Sequence, residues 1–419
     1  MKRSIFFFLI PILFFDLALA QAQEMDVLLK GAHLIDPKNK IDGKMDVAFL
    51  EGKIIQVSPV ITPGKNTKVI DVTGFYVAPG FIDMHAHVFN GTDTDAYIAN
   101  GLTAVPPDGF TFRAGVTTAV DAGSSGWRNF PEFKKQTIDH AKTRILALLN
   151  IVGTGMFSRY KEQDVSDMNP VMTANMIKKL YPTIIVGIKA AHYWGDFTQV
   201  DMAVEAGKLA HVPVMVDFGE HDPPLSIEAL FMKHLRPGDI FTHTYANGPT
   251  ERETVVDENG KVKPFVFEAQ KRGIVFDVGH GGGAFSFRQA IPSMQQGFYP
   301  NTISTDLHTQ SMNSAMKDMS NVISKFLNIG MSLKDAVLRS TWNPAQVINR
   351  PELGNLSVGA CADIVVFNIR QGDFGYLDVS NVKIKGKQKL DVELTIREGK
   401  VVWDLNGTSS VLYGEKLKK

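Results

Sequence analysis

Eight short apolar runs, separated by helix-like stretches, do most to limit what this chain can fold into. They are VAPGFIDMHAH (77–87), VTTAVDAG (116–123), ILALLNIVG (145–153), IIVGIKA (184–190), PVMVDFG (213–219), DIFTHTY (239–245), IVFDVGH (274–280) and TISTDLH (302–308). Helical patterns such as 198–211 and 225–234 lie between them. Strand and helix units alternating from 80 to 350 argue for an α/β chain, specifically a (β/α)8 TIM barrel.

The two ends read differently. DVLLKGAHLID, DVAFLEGKIIQV and TKVIDVTGFYVAPG are strand runs broken by Gly, Lys and Asn turns, and the pattern returns in GNLSVGACADIVVFNI and VELTIREGKVVW. Residues 23–79 and 351–412 are therefore expected to pair as one small β-sandwich, with 80–350 as the barrel. Residues 1–22 read as a signal peptide: Lys2 and Arg3, an apolar run over 5–15, then Ala18-Leu19-Ala20 or Ala20-Gln21-Ala22 as a cleavage site. The run is too short for an ordinary membrane span. The expectation is an exported protein, periplasmic in a Gram-negative source, with no membrane insertion once the signal is removed.

The 44 basic and 44 acidic residues balance, which gives no reason to expect nucleic acid as a partner. The single cysteine, Cys361, excludes an intrachain disulfide and reads as a buried, inert thiol.

The apolar runs end in an unusual set of polar residues. His85 and His87 close the first, and residues i and i+2 of a strand share a face. Lys189, Asp217, His243, His280 and Asp306 close later ones. In a barrel all of these gather at the C-terminal mouth, and so many buried polar groups need partners. Each has a plainer reading: coincidence for the His pair, a buried ion pair for Lys189, a hydrogen-bonded core residue for His243, a helix N-cap for Asp306. His192 sits close behind Lys189, and Gly282 belongs to a Gly281–Gly283 run whose backbone could approach a ligand. His280 and His192 are candidate substrate contacts, Tyr245 is a candidate anion contact, and His308 is a candidate support for Asp306.

The constellation resembles the amidohydrolase superfamily of metal-dependent hydrolases. GVTTAVDAGSSG, GIKA, FDVGHGGGAFSF and STDLH are similar to its amidohydrolase/deacetylase branch, whose members have been labelled dihydroorotase or adenine deaminase. The resemblance implies two divalent metals, zinc first, with manganese or iron as alternatives. His85, His87 and Asp306 would hold the buried ion. Lys189, carboxylated to N6-carboxylysine by carbon dioxide, would bridge to a second ion bound by His243. An ordinary ammonium cannot ligate, whereas its carbamate can. Asp306 would also be the catalytic base. At the end of strand five the family usually has a His; this chain has Asp217. Asp217 either ligates the second metal, leaves a one-metal enzyme, or belongs to a non-catalytic ligand-binding homologue. His221, four residues on, is a weaker substitute.

The activity implied is deacylation of a small N-acyl or O-acyl carboxylate. Cyclic amides (dihydroorotate or hydantoin) and dipeptides are the alternative substrates. Deamination fits less well, because mononuclear deaminases lack the strand-four Lys. The partner is a small-molecule substrate, and homo-oligomerisation stays open.

Overall fold

The computed structural model describes residues 24–90, 103–156, 160–192, 195–217, 225–246 and 253–414. The expected signal peptide and His221 lie outside these residues. Among the described residues, no helix is long and apolar enough to cross a membrane.

Strands from both chain ends form one eight-stranded sheet. Its N-terminal members are β1 (Val27–Asp36), β2 (Ile41–Leu50), β3 (Lys53–Ser58), β4 (Lys68–Asp71) and β5 (Tyr76–Pro79). The middle of the chain supplies β6 (Phe81–Ala86), β7 (Val116–Gly126), β8 (Arg144–Asn150), β9 (Ile185–Ala191), β10 (Val214–Asp217), β11 (Ile240–Phe241) and β12 (Val275–Phe276). The end sheet is completed by β13 (Ile364–Leu377), β14 (Lys383–Arg397) and β15 (Lys400–Asp404). The two ends meet where β5 pairs with both β1 and β13. This sheet has its own core, in which Leu29, Leu34, Phe49 and Val77 meet Ile364, Val366 and Leu394.

Strands β6 to β12 form a second, seven-stranded sheet in chain order, with every neighbouring pair parallel. Strands buried on both faces read as unbroken apolar runs, which is why seven of the eight runs are plain in the sequence. Ile82, Met84, Val120, Leu146, Leu148, Val186, Met215 and Ile240 meet in one cluster, closed by Ala345, Ile348 and Leu353. The opposite faces pack on helices such as Thr198–Ala210, whose buried Val200, Ala203 and Val204 turn toward the sheet.

The eighth run forms no continuous ladder. Residues 302–307 make single parallel bridges, Thr302 to Asp277 and Leu307 to Ala86, so the sheet curls until its first and last members meet through this segment. The reason is local. Asp306 adopts φ 55°, a left-handed conformation that interrupts an extended strand. His243 departs in the same way at φ 57°, which limits β11 to two residues. Cys361 is only half-buried, beside Arg144 and Asp363, and burial followed by the charge of Asp363 pushes its thiol up.

Candidate metal centre

Every strand-end residue singled out in the sequence lies at the same mouth of the curled sheet. His85 is on β6, Lys189 on β9, and Asp217 ends β10. His87, His243 and Asp306 follow in the turns just beyond the strands. Ligand atoms of His85, His243 and Asp306 lie within 4.8 Å of one another. His85 Nε2 is 3.5 Å and His87 Nε2 3.1 Å from Asp306 Oδ1. His243 Nε2 is 3.3 Å from Asp217 Oδ1. Lys189 Nζ lies between the two groups, 3.2 Å from His85 Nε2 and 3.8 Å from Asp217 Oδ2.

The hydrogen bonds behind each ring decide which nitrogen faces the site. Thr242 donates its hydroxyl proton to Asp277 Oδ2 at 2.8 Å, so at 3.0 Å it can only accept from His85 Nδ1. Ser124 likewise donates to Asp121 Oδ2 at 2.7 Å and must accept from His87 Nδ1 at 3.2 Å. His243 Nδ1 donates to the carbonyl of Gly279. In all three rings Nδ1 is the nitrogen tied back to an acceptor, which leaves Nε2 facing a carboxylate and available as a metal ligand. At 3.1 to 3.5 Å each Nε2–carboxylate pair is bridged either by a proton on the nitrogen or by a cation between the two donors. Ligating His residues usually donate their second ring N–H in this way. The donor set thus fits a divalent metal.

His308 is arranged the other way. Its Nδ1 accepts from Ser311 N at 3.4 Å, leaving an Nε2 proton that faces Ser311 Oγ at 2.6 Å and Asp306 Oδ2 at 3.5 Å. It supports Asp306 and is not built to ligate. Burial acts to raise Asp306, but His308, by its charge and its hydrogen bond, holds the carboxyl well below its usual range. Burial, followed by the charge of Lys189, keeps His85 neutral, and burial lowers Lys189 against the pull of Asp217 and Asp306.

The candidate substrate contacts are placed as follows. Both ring nitrogens of His280 are engaged: Nδ1 by Gly281 O at 2.9 Å, Nε2 by Lys325 Nζ at 2.6 Å. Its ring stacks on Phe285 with centroids 4.4 Å apart. Burial pushes Lys325 down to about 7. Tyr245 is fully buried, edge-on to Phe285, and its hydroxyl has no hydrogen-bond partner among the described residues. Gly282 is partly exposed, and its carbonyl accepts from Ser314 Oγ at 3.3 Å. His192 borders Asp217, with Nε2 3.7 Å from Oδ2.

Asp121, Ser124, Thr242, Asp277, Glu162 and Lys325 were not picked out from the sequence. The available signal was a carboxylate inside an apolar run, as in TTAVDAGSS and GIVFDVGH.

Gly281 illustrates how tightly Asp306 is held. At φ +57°, a Cβ on residue 281 would lie 2.7 Å from Asp306 Oδ2. Gly281→Ala is therefore expected to cost about 1–2 kcal/mol in backbone strain. A carboxylate displaced by about 1 Å would also lose roughly 100-fold in turnover. Thermal melts and steady-state kinetics read the two effects separately, and a variant with unchanged kcat would remove Gly281 from this role.

A deacetylase of Agrobacterium fabrum is 33% identical over 340 residues, covering 78% of this chain and 79% of that protein. The chain belongs to the amidohydrolase superfamily. It is a hydrolase, and the amidohydrolase family profile matches residues 286–402. A crystal structure titled as an adenine deaminase superposes with a TM-score of 0.82 at 26% identity, over 91% of this chain and all of that one. One titled as a dihydroorotase gives 0.78 at 28% identity, over 90% and 99%. These structures are amidohydrolase TIM-barrel proteins of mixed α/β content, in keeping with the curled parallel sheet. Three different activity names over one fold show that the name of a neighbour does not settle the substrate of this amidohydrolase.

Proposed function

We propose that this amidohydrolase is an exported, metal-dependent deacylase. It would remove an acyl group, such as acetyl, from a small N-acyl or O-acyl carboxylate. The observation that carries this reading is the trio of rings tied back through Nδ1, their Nε2 atoms turned toward Asp306 and Asp217 around the buried Lys189. His85, His87 and Asp306 would hold one divalent ion. Lys189 (as its carbamate), His243 and Asp217 would hold another. Zinc suits the imidazoles, and the oxygen donors also admit manganese or iron. A cation held there supplies Lewis-acid polarisation of the acyl carbonyl and lowers the pKa of water.

The chain's own groups do the rest. Lys189 is fully buried, and burial favours its neutral amine against the pull of Asp217 and Asp306; that is the form that adds to carbon dioxide. Asp306 accepts the proton of the water whose oxygen attacks the acyl carbon, and passes it to the departing nitrogen or oxygen as that bond breaks. His308 keeps Asp306 ionised between these transfers. His280, with both ring nitrogens engaged, serves substrate through the Gly281–Gly283 loop it holds, and Gly282 lies at the open edge. Tyr245 shapes the aromatic wall behind that loop. The barrel closes as (β/α)8 over 80–350, and the end sheet folds over its core as a β-sandwich from 23–79 and 351–412.

The deacetylase likeness supports acyl removal, and the dihydroorotase likeness supports cyclic amides as a second substrate class. A screen of N-acetyl D- and L-amino acids, O-acetyl hydroxy acids and dihydroorotate should find its fastest turnover among the acetylated carboxylates. Turnover of dihydroorotate alone would move the assignment to the cyclic amides. Wild-type protein that takes up no zinc or manganese in bicarbonate buffer would sink the hydrolytic mechanism altogether.

A further inference from the structure

A fourth imidazole carries the marks of the three already described. His192 Nδ1 lies 3.0 Å from Glu162 Oε2. Glu162 is buried, and its other oxygen has no partner among the described residues, so this carboxylate is spent on orienting one ring. With its proton directed at Glu162, His192 presents Nε2 to Asp217 Oδ2 at 3.7 Å. The other oxygen of Asp217 faces His243 Nε2 at 3.3 Å. The residue is held in this pose at φ 49°, a conformation that costs energy outside glycine, with Gln163 Nε2 donating to its carbonyl.

Two ligands of one tetrahedral zinc, each at its ordinary bond length, lie roughly 3.4 Å apart. Both donor separations around Asp217 are close to that value. The geometry points to His192 as a ligand of the second metal, supplying beside Asp217 the imidazole that the end of strand β10 lacks. This rests on the metal-hydrolase reading above. It resolves the difficulty posed by Asp217, because a nitrogen donor oriented by a carboxylate returns to that side of the site from three residues beyond Lys189. A proton on Nε2 would fill the same gap if His192 were only an ion-pair partner of Asp217, so the two roles must be separated by metal content.

The experiment is reconstitution of the full chain with Zn2+ or Co2+ and bicarbonate. Metal per chain, affinity by chelator competition and the visible Co2+ spectrum are then measured for wild type, His192→Ala and Glu162→Gln. Wild type should hold two ions. His192→Ala should keep one and bind the second more than about 100-fold more weakly, with a changed Co2+ spectrum. Glu162→Gln should lose roughly 10–100-fold at the second site only. Adding Asp217→His to His192→Ala should restore the second ion. Two ions at wild-type affinity and an unchanged spectrum in His192→Ala would overturn the assignment while leaving the metal-hydrolase reading in place. Metal-free wild type would overturn both.

Discussion

Asp306→Asn is expected to abolish turnover while the protein stays folded. Among the described residues, Asp306 is the carboxylate that both His85 Nε2 and His87 Nε2 face, and His308 holds it ionised from the other side. An amide of the same shape keeps the volume but can neither take up a proton nor carry the charge those imidazoles oppose. General acid–base transfer alone contributes about 100- to 10,000-fold. Weakened metal retention adds to that, so kcat should fall by at least about 1,000-fold. The melting temperature should move little, because Asp306 lies in a segment with single bridges and not in a ladder. Steady-state kinetics at matched metal occupancy, paired with a thermal melt, provide the measurement. Residual activity above a tenth of wild type would remove Asp306 as the proton carrier.

The second large effect concerns Lys189. Lys189→Met retains most of the buried stem and removes the amine, so it tests the chemistry without opening a large cavity. A methionine cannot form a carbamate, so under the proposed two-ion reading the two halves of the site would lose their common anionic ligand. Even the loss of a hydrogen-bonding partner behind a metal ligand costs roughly 10–100-fold. Loss of a bridging ligand should therefore reduce metal affinity and kcat by more than about 100-fold. Wild type grown or reconstituted with 13C-bicarbonate should show a carbamate carbon resonance that the variant lacks. A Lys189→Met protein with wild-type metal content and turnover would show that Lys189 is only a buried partner for Asp217. Gly123 belongs to the same test, since at φ +88° a Cβ there would stand 2.6 Å from Lys189 Cβ and Cγ.

The residues that carry charge at the mouth were readable in the sequence because a His, Lys or Asp is conspicuous at the end of an apolar run. The groups that aim them were not. Ser124 and Thr242 look like ordinary small strand residues, and nothing in SSG or FTH tells which hydroxyl lies behind which ring. Glu162 comes from a short 3-10 turn, Lys161–Gln163, whose path no periodicity reveals. Lys325 carries no motif that marks it, yet it is wholly buried against His280. The alternation of apolar runs conveyed the parallel sheet, and the positive φ of Asp306 explains why the last run bridges where a strand was expected. In the end sheet, alternation identified the strands but not the pairing of β5 with both β1 and β13.

Asp277 accepts from Thr242, from Thr302 at 2.5 Å and from Ser304 at 2.6 Å. These three hydroxyls come from the part of the ring where the strands are shortest and main-chain pairing is thinnest. Through Thr242 the same carboxylate also orients the Nδ1 proton of His85, across the curled sheet. One side chain therefore acts as tie-rod and tuning peg together. Variation at residue 277 would loosen the closure of the curled sheet and detune His85 in a single stroke, so robustness and reactivity in this chain cannot be adjusted independently there.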